Sequence, residues 1–276
     1  MIKIHVRFFI IGIFAVLVAN GSLAITASPT PGGIVTFQLA SSEVPPVVTY
    51  LDKPVAVIPN QQGWLAVLGL SLNIKPGEHQ VLVNNRAQTF SIENKDYPEQ
   101  HITLKTRKHI DLSAEDLARH RKEKAKAMAA YGYFDTQQIP DFAFIKPVNG
   151  PYSSPFGLKR FFNGEPRNPH SGLDIAAPTG TPIRAPAAGK VVLTGDFFFN
   201  GKVVYVDHGQ GLVSMFCHLD RIDVSKGANI NKGDLLGKVG ATGRVTGPHL
   251  HWSVSLNNSR IDPMLLLPTA EQNAAR

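Results

Sequence analysis

The chain of 276 residues is basic, with 28 lysines and arginines against 21 aspartates and glutamates and a formal net charge of +7. This modest excess suits an anionic polymer or a membrane surface but is equally compatible with no polyanionic partner. A single cysteine, Cys217, excludes an intramolecular disulfide, so stability must come from burial or from a bound metal.

Residues 1–24 have the pattern of a secretory signal peptide. Lys3 and Arg7 precede an apolar run over Phe8–Ala19, and small residues follow at Ser22 and Ala24. The apolar run is too short to span a bilayer comfortably, which takes about 20 residues. We therefore expect cleavage after Ala24, export to the periplasm or cell envelope, and no stable membrane insertion afterwards. Without the two basic residues, the net charge becomes +5, from 26 basic and 21 acidic side chains.

Residues 25–110 are predicted to form a small N-terminal β module. Short apolar runs such as "PVAVIP", "WLAVLGLSL" and "HQVLVNN" are separated by turn residues, among them Asn84 and Asn85. The spacing is typical of a sandwich-like arrangement. No cluster of chemically active side chains occurs in this module.

Residues 111–139 are predicted to form a helical linker. Strong helix formers run through "DLSAEDLARHRKEKAKAMAAYGYF", Ser113 and Asp116 resemble a capping box, and Gly132 is a plausible stop. The basic side chains of this segment favour a solvated helix face, with contact to an anionic polymer or membrane as the alternative.

Residues 140–276 are predicted to form an antiparallel β domain rich in loops. Glycine and proline become frequent, and β-like runs such as "KVVYVDHG", "LVSMFCHL" and "LHWSVSL" recur with tight turns between them. Five of the ten histidines lie here, mostly at the ends of these runs, where functional sites are usually assembled.

Two short motifs in this domain suggest a metal site. His170 and Asp174 lie four residues apart in "PHSGLDIAAP", and Gly172 between them would let the backbone bend and bring both side chains inward. A zinc site with an open position needs a third protein ligand, which His251 of "HLHW" can supply. His249 points to the same face of an extended strand and would lie beside the metal, where a base belongs.

Two other histidines have different expected roles. His218 and Cys217 are adjacent on a strand and face opposite ways, which weakens the hypothesis of a thiol protease, and Cys217 is expected to be a small buried residue. His208 lies in an apparent hairpin turn and is expected to be structural.

Three segments together resemble the lysostaphin-like (LytM-type) zinc metallopeptidases, which cleave peptidoglycan cross-links: "FGLKRFFNGEPRNPHSGLDIAAPTGTPI", "GKVVYVDHGQGLVSMFCHL" and "GATGRVTGPHLHWSV". The resemblance covers roughly residues 147–268. It implies a compact β fold with a groove, one zinc ion per chain held by His170, Asp174 and His251, and two catalytic histidines, His218 and His249. Lys159, Val245 and Ser253 depart from the usual pattern and leave substrate preference open.

The resemblance implies a secreted zinc metalloendopeptidase that acts on the peptide stems of bacterial peptidoglycan, with a zinc-bound water as nucleophile. We expect a DD-endopeptidase, with His249 favoured over His218 as base, although a glycine bridge and the reverse assignment stay open. The alternative is a non-catalytic activator of a partner cell-wall amidase. No nucleic-acid partner is expected, and a regulatory protein partner is left open.

Overall fold

The structure, a computed structural model, describes residues 25–103 and 113–274. The expected signal peptide, residues 1–24, lies outside the described residues. Within the described ranges, no helix combines the length and apolar character needed to cross a membrane. The protein is mainly β with antiparallel sheets, which confirms the fold class expected from the sequence.

Seven strands form the N-terminal module and are arranged in two sheets, ordered β1-β5-β4 and β3-β2-β6-β7. Their bounds are β1 Ile34–Leu39, β2 Val48–Tyr50, β3 Lys53–Pro54, β4 Ala56–Asn60, β5 Gly63–Gly69, β6 Gly77–Val83 and β7 Arg86–Ile92. One buried cluster includes Leu68 of β5, Val81 of β6 and Ile92 of β7, so it joins the two sheets. The β6–β7 turn has positive φ at both Asn84 and Asn85, as a two-residue hairpin turn requires.

The N-terminal module shares an apolar core with the C-terminal region. Ile34, Ile58 and Val67 belong to the same buried cluster as Leu256 and Ile261. The shared cluster means that separating the two regions would expose apolar surface on both. The domain boundaries expected from the sequence remain a prediction.

Polar contacts also fix the module to the C-terminal region. The side-chain amide of Asn257 accepts from the Gly69 N–H at 2.7 Å and donates to the Gly69 carbonyl at 3.0 Å. Gln210 Oε1 accepts from the Val57 N–H at 2.7 Å. These side chains satisfy buried backbone groups of the module's β4 and β5 region, which would otherwise cost about 1–3 kcal/mol each.

Among the described residues, strand β8, Glu99–Ile102, and helix α1, Ala114–Tyr131, lie between the two regions in the chain. Strand β8 leaves the module and runs parallel to a strand of the C-terminal region. Helix α1 begins after Ser113, whose hydroxyl accepts from the Asp116 N–H, and ends at Gly132. The helix is shorter than the predicted linker, but its start and stop signals are those expected from the sequence.

The C-terminal region contains the remaining elements. They are β9 Tyr152–Ser154, β10 Lys159–Phe162, β11 Glu165–Pro166, β12 Leu173–Ala176, β13 Pro182–Arg184, β14 Gly189–Phe197, β15 Gly201–Asp207, β16 Val213–Ile222, β17 Asn229–Ile230, β18 Leu235–Val239, β19 His249–Leu256, β20 Ser259–Ile261, a 3₁₀ helix Pro263–Leu266 and α2 Thr269–Ala274. The main path of the large sheet is β17-β14-β15-β16-β19-β12-β9, and β10 pairs with β11 and β8 in a small sheet. Phe216 and Trp252, paired across β16 and β19, are fully buried in the core.

Candidate active site

An open groove of about 770 Å³ is lined by residues of the central strands β12 and β19. Its other lining residues come from β8, β9, β10, the turn between β14 and β15, the middle of β16, and the segment before β19. They include Gln100, Arg160, Phe162, Phe199, Asn200, His218 and Arg244. The site histidines and the aspartate predicted from the sequence all line this groove.

The pairing of β12 with β19 places two of the predicted ligands side by side. Asp174 lies opposite His251 in this antiparallel pair, and Ala176 lies opposite His249. Leu250, between the two histidines, is fully buried in the core, so the two imidazoles share the groove face of β19. The period of a regular strand therefore positions the H-x-H pair as the sequence predicted.

His170 reaches the same point from just before β12. Its Nε2 lies 3.1 Å from Asp174 Oδ1, although a straight strand would separate the two residues by about 13 Å. A Cβ on Gly172 would lie 2.6 Å from His251 Cε1, so only glycine leaves room there for the His251 ring. Gly172 thus lets the chain pass close beside the ring.

Three potential ligand atoms converge in the groove. His251 Nδ1 lies 2.8 Å from Asp174 Oδ1 and 3.0 Å from His170 Nε2, which itself lies 3.1 Å from Asp174 Oδ1. Donor atoms around a tetrahedral zinc ion with bonds of about 2 Å lie roughly 3.3 Å apart. The spacing of these three atoms therefore suits a single small cation.

The hydrogen bonds around the cluster also fit a metal. His170 Nδ1 lies 2.8 Å from the Pro155 carbonyl oxygen, which only accepts, so Nδ1 carries the proton and Nε2 presents a lone pair. The Asp174 carboxylate is also an acceptor, and acceptor atoms at this distance repel unless a proton or a cation lies between them. Two imidazole nitrogens and one carboxylate oxygen form a donor set suited to zinc.

Asp174 is held in its charged form. Burial opposes ionisation, but the His170 and His251 imidazoles beside the carboxylate outweigh burial and hold the pKa of Asp174 well below its ordinary value. Burial also lowers the pKa of His251, although Asp174 partly opposes that shift. The carboxylate is therefore available as an anionic ligand over the whole physiological pH range.

His218 and His249 lie beside the cluster, with ring centroids 4.9 Å apart. His218 Nδ1 donates to the Thr242 carbonyl at 3.0 Å, and His249 Nδ1 donates to the Gly247 carbonyl at 2.9 Å. In its neutral form, each ring therefore presents the lone pair of its Nε2. His249 Nε2 lies 4.0 Å from Asp174 Oδ1, so a base is available next to the converging atoms.

His218 occupies an irregular position in β16. Its φ is +65°, in the left-handed region, and the pairing of β15 with β16 changes register between Phe216 and Leu219. Burial, aided by nearby His251, lowers the pKa of His218 to about 4, so the ring is neutral at neutral pH. A neutral ring can accept a proton during a reaction.

Cys217 and His208 lie outside the groove lining. Cys217 is buried, and burial raises the pKa of its thiol to about 12, which makes the thiol a poor nucleophile. His208 is fully buried, with Nδ1 bonded to the Ala188 carbonyl at 2.8 Å and Nε2 to Ser214 Oγ at 2.9 Å. Cys217 thus has the buried position expected from the sequence, and the hydrogen bonds of His208 fit the structural role expected for it.

Several groove residues were not anticipated from the sequence. Gln100 comes from β8, Phe199 and Asn200 from the β14–β15 turn, and Arg244 from the segment before β19. No local pattern marks Gln100, Phe199 or Asn200, because each reaches the groove through long-range packing, whereas Arg244 lies within the segment "GATGRVTGPHLHWSV". Arg160 lies within the segment "FGLKRFFNGEPRNPHSGLDIAAPTGTPI", so that segment contained a signal for it.

The fold and the site together define a mainly antiparallel β protein with a candidate site for one metal ion in an open groove. Residues 168–263 match the Peptidase family M23, and residues 27–95 match the Peptidase family M23 N-terminal domain. A solved structure of a peptidase M23 from Pseudomonas aeruginosa is 45% identical, covers 88% of this chain and 96% of its own, and has a TM-score of 0.75. The chain belongs to peptidase family M23, which confirms the resemblance seen in the sequence.

Two curated relatives carry names that state an activity. DD-carboxypeptidase/endopeptidase Mpg of Neisseria meningitidis is 38% identical over 124 residues, which are 45% of this chain and 29% of that protein. Peptidoglycan DD-endopeptidase ShyA of Vibrio cholerae is 38% identical over 96 residues, which are 35% of this chain and 22% of that protein. The match thus spans less than a third of either relative.

Proposed function

We propose that the protein is an exported zinc endopeptidase that hydrolyses peptide cross-links of bacterial peptidoglycan. The observation that carries this proposal is the convergence of His170, Asp174 and His251 in an open groove, next to two histidines that present Nε2 lone pairs. The activities named for the Neisseria and Vibrio relatives support the same substrate class.

His170, Asp174 and His251 would hold the zinc ion. When bound, zinc supplies Lewis-acid chemistry that acidifies water and polarises a carbonyl group. The Pro155 carbonyl fixes the tautomer and orientation of His170, which is the usual role of a partner behind a ligating histidine. Three protein ligands leave a fourth position for water or substrate.

His249 and His218 would move the protons. We assign the base role to His249, because its Nε2 lies 4.0 Å from the Asp174 oxygen on which the ligand atoms converge. His218 keeps its Nδ1–H on Thr242, so protonation at Nε2 turns that atom into a donor. In that form it can stabilise the developing oxyanion or protonate the leaving amine.

The charge of the groove favours an anionic peptide. Arg160 and Arg244 both line it, and within residues 25–103 and 113–274 neither has a carboxylate at ion-pair distance. Arg160 donates to Ser154 Oγ at 3.1 Å, and the Arg244 guanidinium lies 5.2 Å from the Phe199 ring centroid. Peptide stems with free carboxylates suit such a groove.

Digestion of purified peptidoglycan tests the proposed reaction. Cleavage of a cross-link releases one new amine and one new carboxylate, which mass spectrometry of the products locates. Sacculi with direct D-alanyl to diamino-acid links and sacculi with glycine bridges should be compared, and we expect the direct link to be cut. If the protein releases nothing itself but stimulates a cell-wall amidase, the activator hypothesis replaces this proposal.

A matched pair of arginine variants tests the substrate class. Arg160→Ala should raise KM for a carboxylate-bearing fragment about tenfold with little change in kcat, because it removes a charge that binds ground state and transition state alike. Arg86→Ala, an exposed arginine of the N-terminal module, should match the wild type. If Arg160→Ala leaves KM unchanged, the groove does not select its substrate by this charge.

A further inference from the structure

Helix α1 contacts the turn between β14 and β15 through a buried carboxylate. Glu123 is 8% exposed, its Oε2 accepts from the Phe198 N–H at 2.8 Å, and its Oε1 accepts from Arg119 Nε at 2.7 Å. A buried carboxylate with two charge-assisted hydrogen bonds is held firmly in place. Glu123 therefore fixes the backbone of the turn relative to the helix.

Neighbouring side chains of the helix contact the same turn. Arg119 also donates to the Asp196 carbonyl at 3.1 Å, so it contacts the chain just before the turn. The His120 ring packs edge-on against Phe199, with centroids 4.7 Å apart. Arg119, His120 and Glu123 of one helix thus contact residues 196–199.

The far side of this turn holds His218. The Asn200 carbonyl accepts from the His218 N–H at 2.8 Å, and Asn200 Nδ2 donates to Cys217 Sγ at 3.4 Å. A non-glycine residue with a φ of +65° is strained by roughly 1–3 kcal/mol and keeps its conformation only when its surroundings impose it. The hydrogen bond from the turn is one of the contacts that impose it on His218.

The turn also anchors the segment that orients the His218 ring. The Phe199 carbonyl accepts from the Arg244 N–H at 2.9 Å, and the Lys202 N–H donates to Thr242 Oγ1 at 2.9 Å. The Thr242 carbonyl in turn accepts from His218 Nδ1. Both the backbone and the ring of His218 are therefore tied to the turn that Glu123 holds.

We infer that Glu123 is a positioning residue for His218, acting through the β14–β15 turn. This inference rests on the proposed function of His218. Helix α1 lies between the two segments that match family M23, residues 27–95 and 168–263, so the contact joins an element outside both matches to the site. The helix is more than a solvated connection between two β regions.

Kinetics of zinc-loaded variants test the inference. Glu123→Ala should lower kcat about tenfold or more, with KM and zinc content unchanged, because small displacements of a proton-transfer group mainly slow the chemical step. Glu123→Gln keeps an acceptor for the Phe198 N–H and should recover most of that loss. Glu115→Ala, an exposed glutamate of the same helix, is the matched control and should behave as the wild type. A kcat for Glu123→Ala within twofold of the wild type would overturn the inference.

Two further measurements keep the test decisive. If Glu123→Ala does not fold, a second variant is available. Arg119→Met removes both hydrogen bonds of a half-exposed side chain and should lower kcat about threefold, and no change would count against the inference. The ¹⁵N resonances of the His218 ring should shift in Glu123→Ala or Arg119→Met but not in Glu115→Ala. Because this readout needs no turnover, an inactive wild type would refute the proposed function while the resonances still decide whether Glu123 positions His218.

Discussion

Two histidines near strands β15 and β16 differ in their surroundings: His208 lies in the connection between the strands, and His218 lies within β16. At the β15–β16 hairpin, His208 follows Asp207 in the chain and is hydrogen-bonded to Ser214. Serine, histidine and aspartate are also the residue types of a catalytic triad. Both ring nitrogens of His208 are bonded to the protein, and the residue is fully buried. At the groove end, His218 gives only its Nδ1–H to a carbonyl and lines the groove with its ring.

This difference shows how a histidine in a candidate active site differs from a structural histidine. The distinguishing feature is a ring nitrogen whose lone pair is not used in a hydrogen bond, rather than the residue type. Burial lowers the pKa of both His208 and His218 to about 4, so acidity does not distinguish them. What distinguishes His218 is access to the groove and an Nε2 that has no hydrogen-bond partner within residues 25–103 and 113–274. The predictions below test this contrast, from the largest expected effect to the smallest.

Removing a ligand should have the largest effect. His251→Ala removes one of three converging donors, so we expect loss of zinc, loss of measurable turnover and a lower melting temperature in zinc-containing buffer, since metal binding stabilises the folded state. Zinc content by atomic absorption and turnover on peptidoglycan fragments check this. Retention of full zinc occupancy in His251→Ala would show that the ligand set is wrong.

Removing a proton-transfer group should leave the metal in place. His249→Ala and His218→Ala keep all three ligands, so each should retain zinc while kcat falls by a factor on the order of 10² to 10⁴. Zinc content and turnover are measured as for His251→Ala. If His249→Ala loses its zinc while His251→Ala keeps it, the roles of the two imidazoles in "HLHW" are reversed.

Removing the buried histidine should affect stability alone. His208→Ala deletes two hydrogen bonds and a ring contact with Phe144, so the free energy of unfolding should fall by about 2–4 kcal/mol. Urea titration measures this fall, and kcat per folded molecule should stay within about twofold of the wild type. A large loss of kcat in a folded, zinc-loaded protein would contradict the structural role.

The smallest effect concerns Asp207. Burial raises the pKa of Asp207 from 3.8 to about 6, so the folded state binds its proton more tightly than the unfolded state. This group's contribution to stability therefore falls as pH rises from about 4 to about 6, by at most roughly 3 kcal/mol.

Asp207→Asn should remove this pH dependence. The variant should gain stability relative to the wild type as pH rises through that interval, while the opposite contribution of His208 cancels in the comparison. Thermal unfolding of both proteins at about pH 4 and about pH 7 gives the result. An unchanged difference between the two proteins at both pH values would show that Asp207 does not titrate as described.

The site was predictable where a regular strand positions it. His249 and His251 share the groove face because β19 is regular, and alternation alone orders their side chains. His170 and Asp174 could be proposed as partners because Gly172 permits a bend, but their 3.1 Å approach depends on the folded backbone. The first and last residues of helix α1 were also predictable from the sequence, because Ser113 and Gly132 are local capping signals.

The rest of the site depends on long-range packing that no local pattern encodes. His218 enters the groove at an irregularity of β16 with a positive φ, which alternation along a strand does not predict. Strand β8 reaches the groove by pairing with β10, a partner 60 residues away between Glu99 and Lys159. The contact of Glu123 with Phe198 likewise joins residues that only the tertiary fold brings together.

Metal dependence of peptidoglycan cleavage tests the central claim most directly. The purified protein is treated with a chelator, dialysed, and assayed on sacculi by mass spectrometry before and after addition of one equivalent of zinc. We expect cleavage of peptide cross-links to disappear on metal removal and to return with zinc, and not to return in His251→Ala. Cross-link cleavage that persists in the fully metal-free protein would contradict the account.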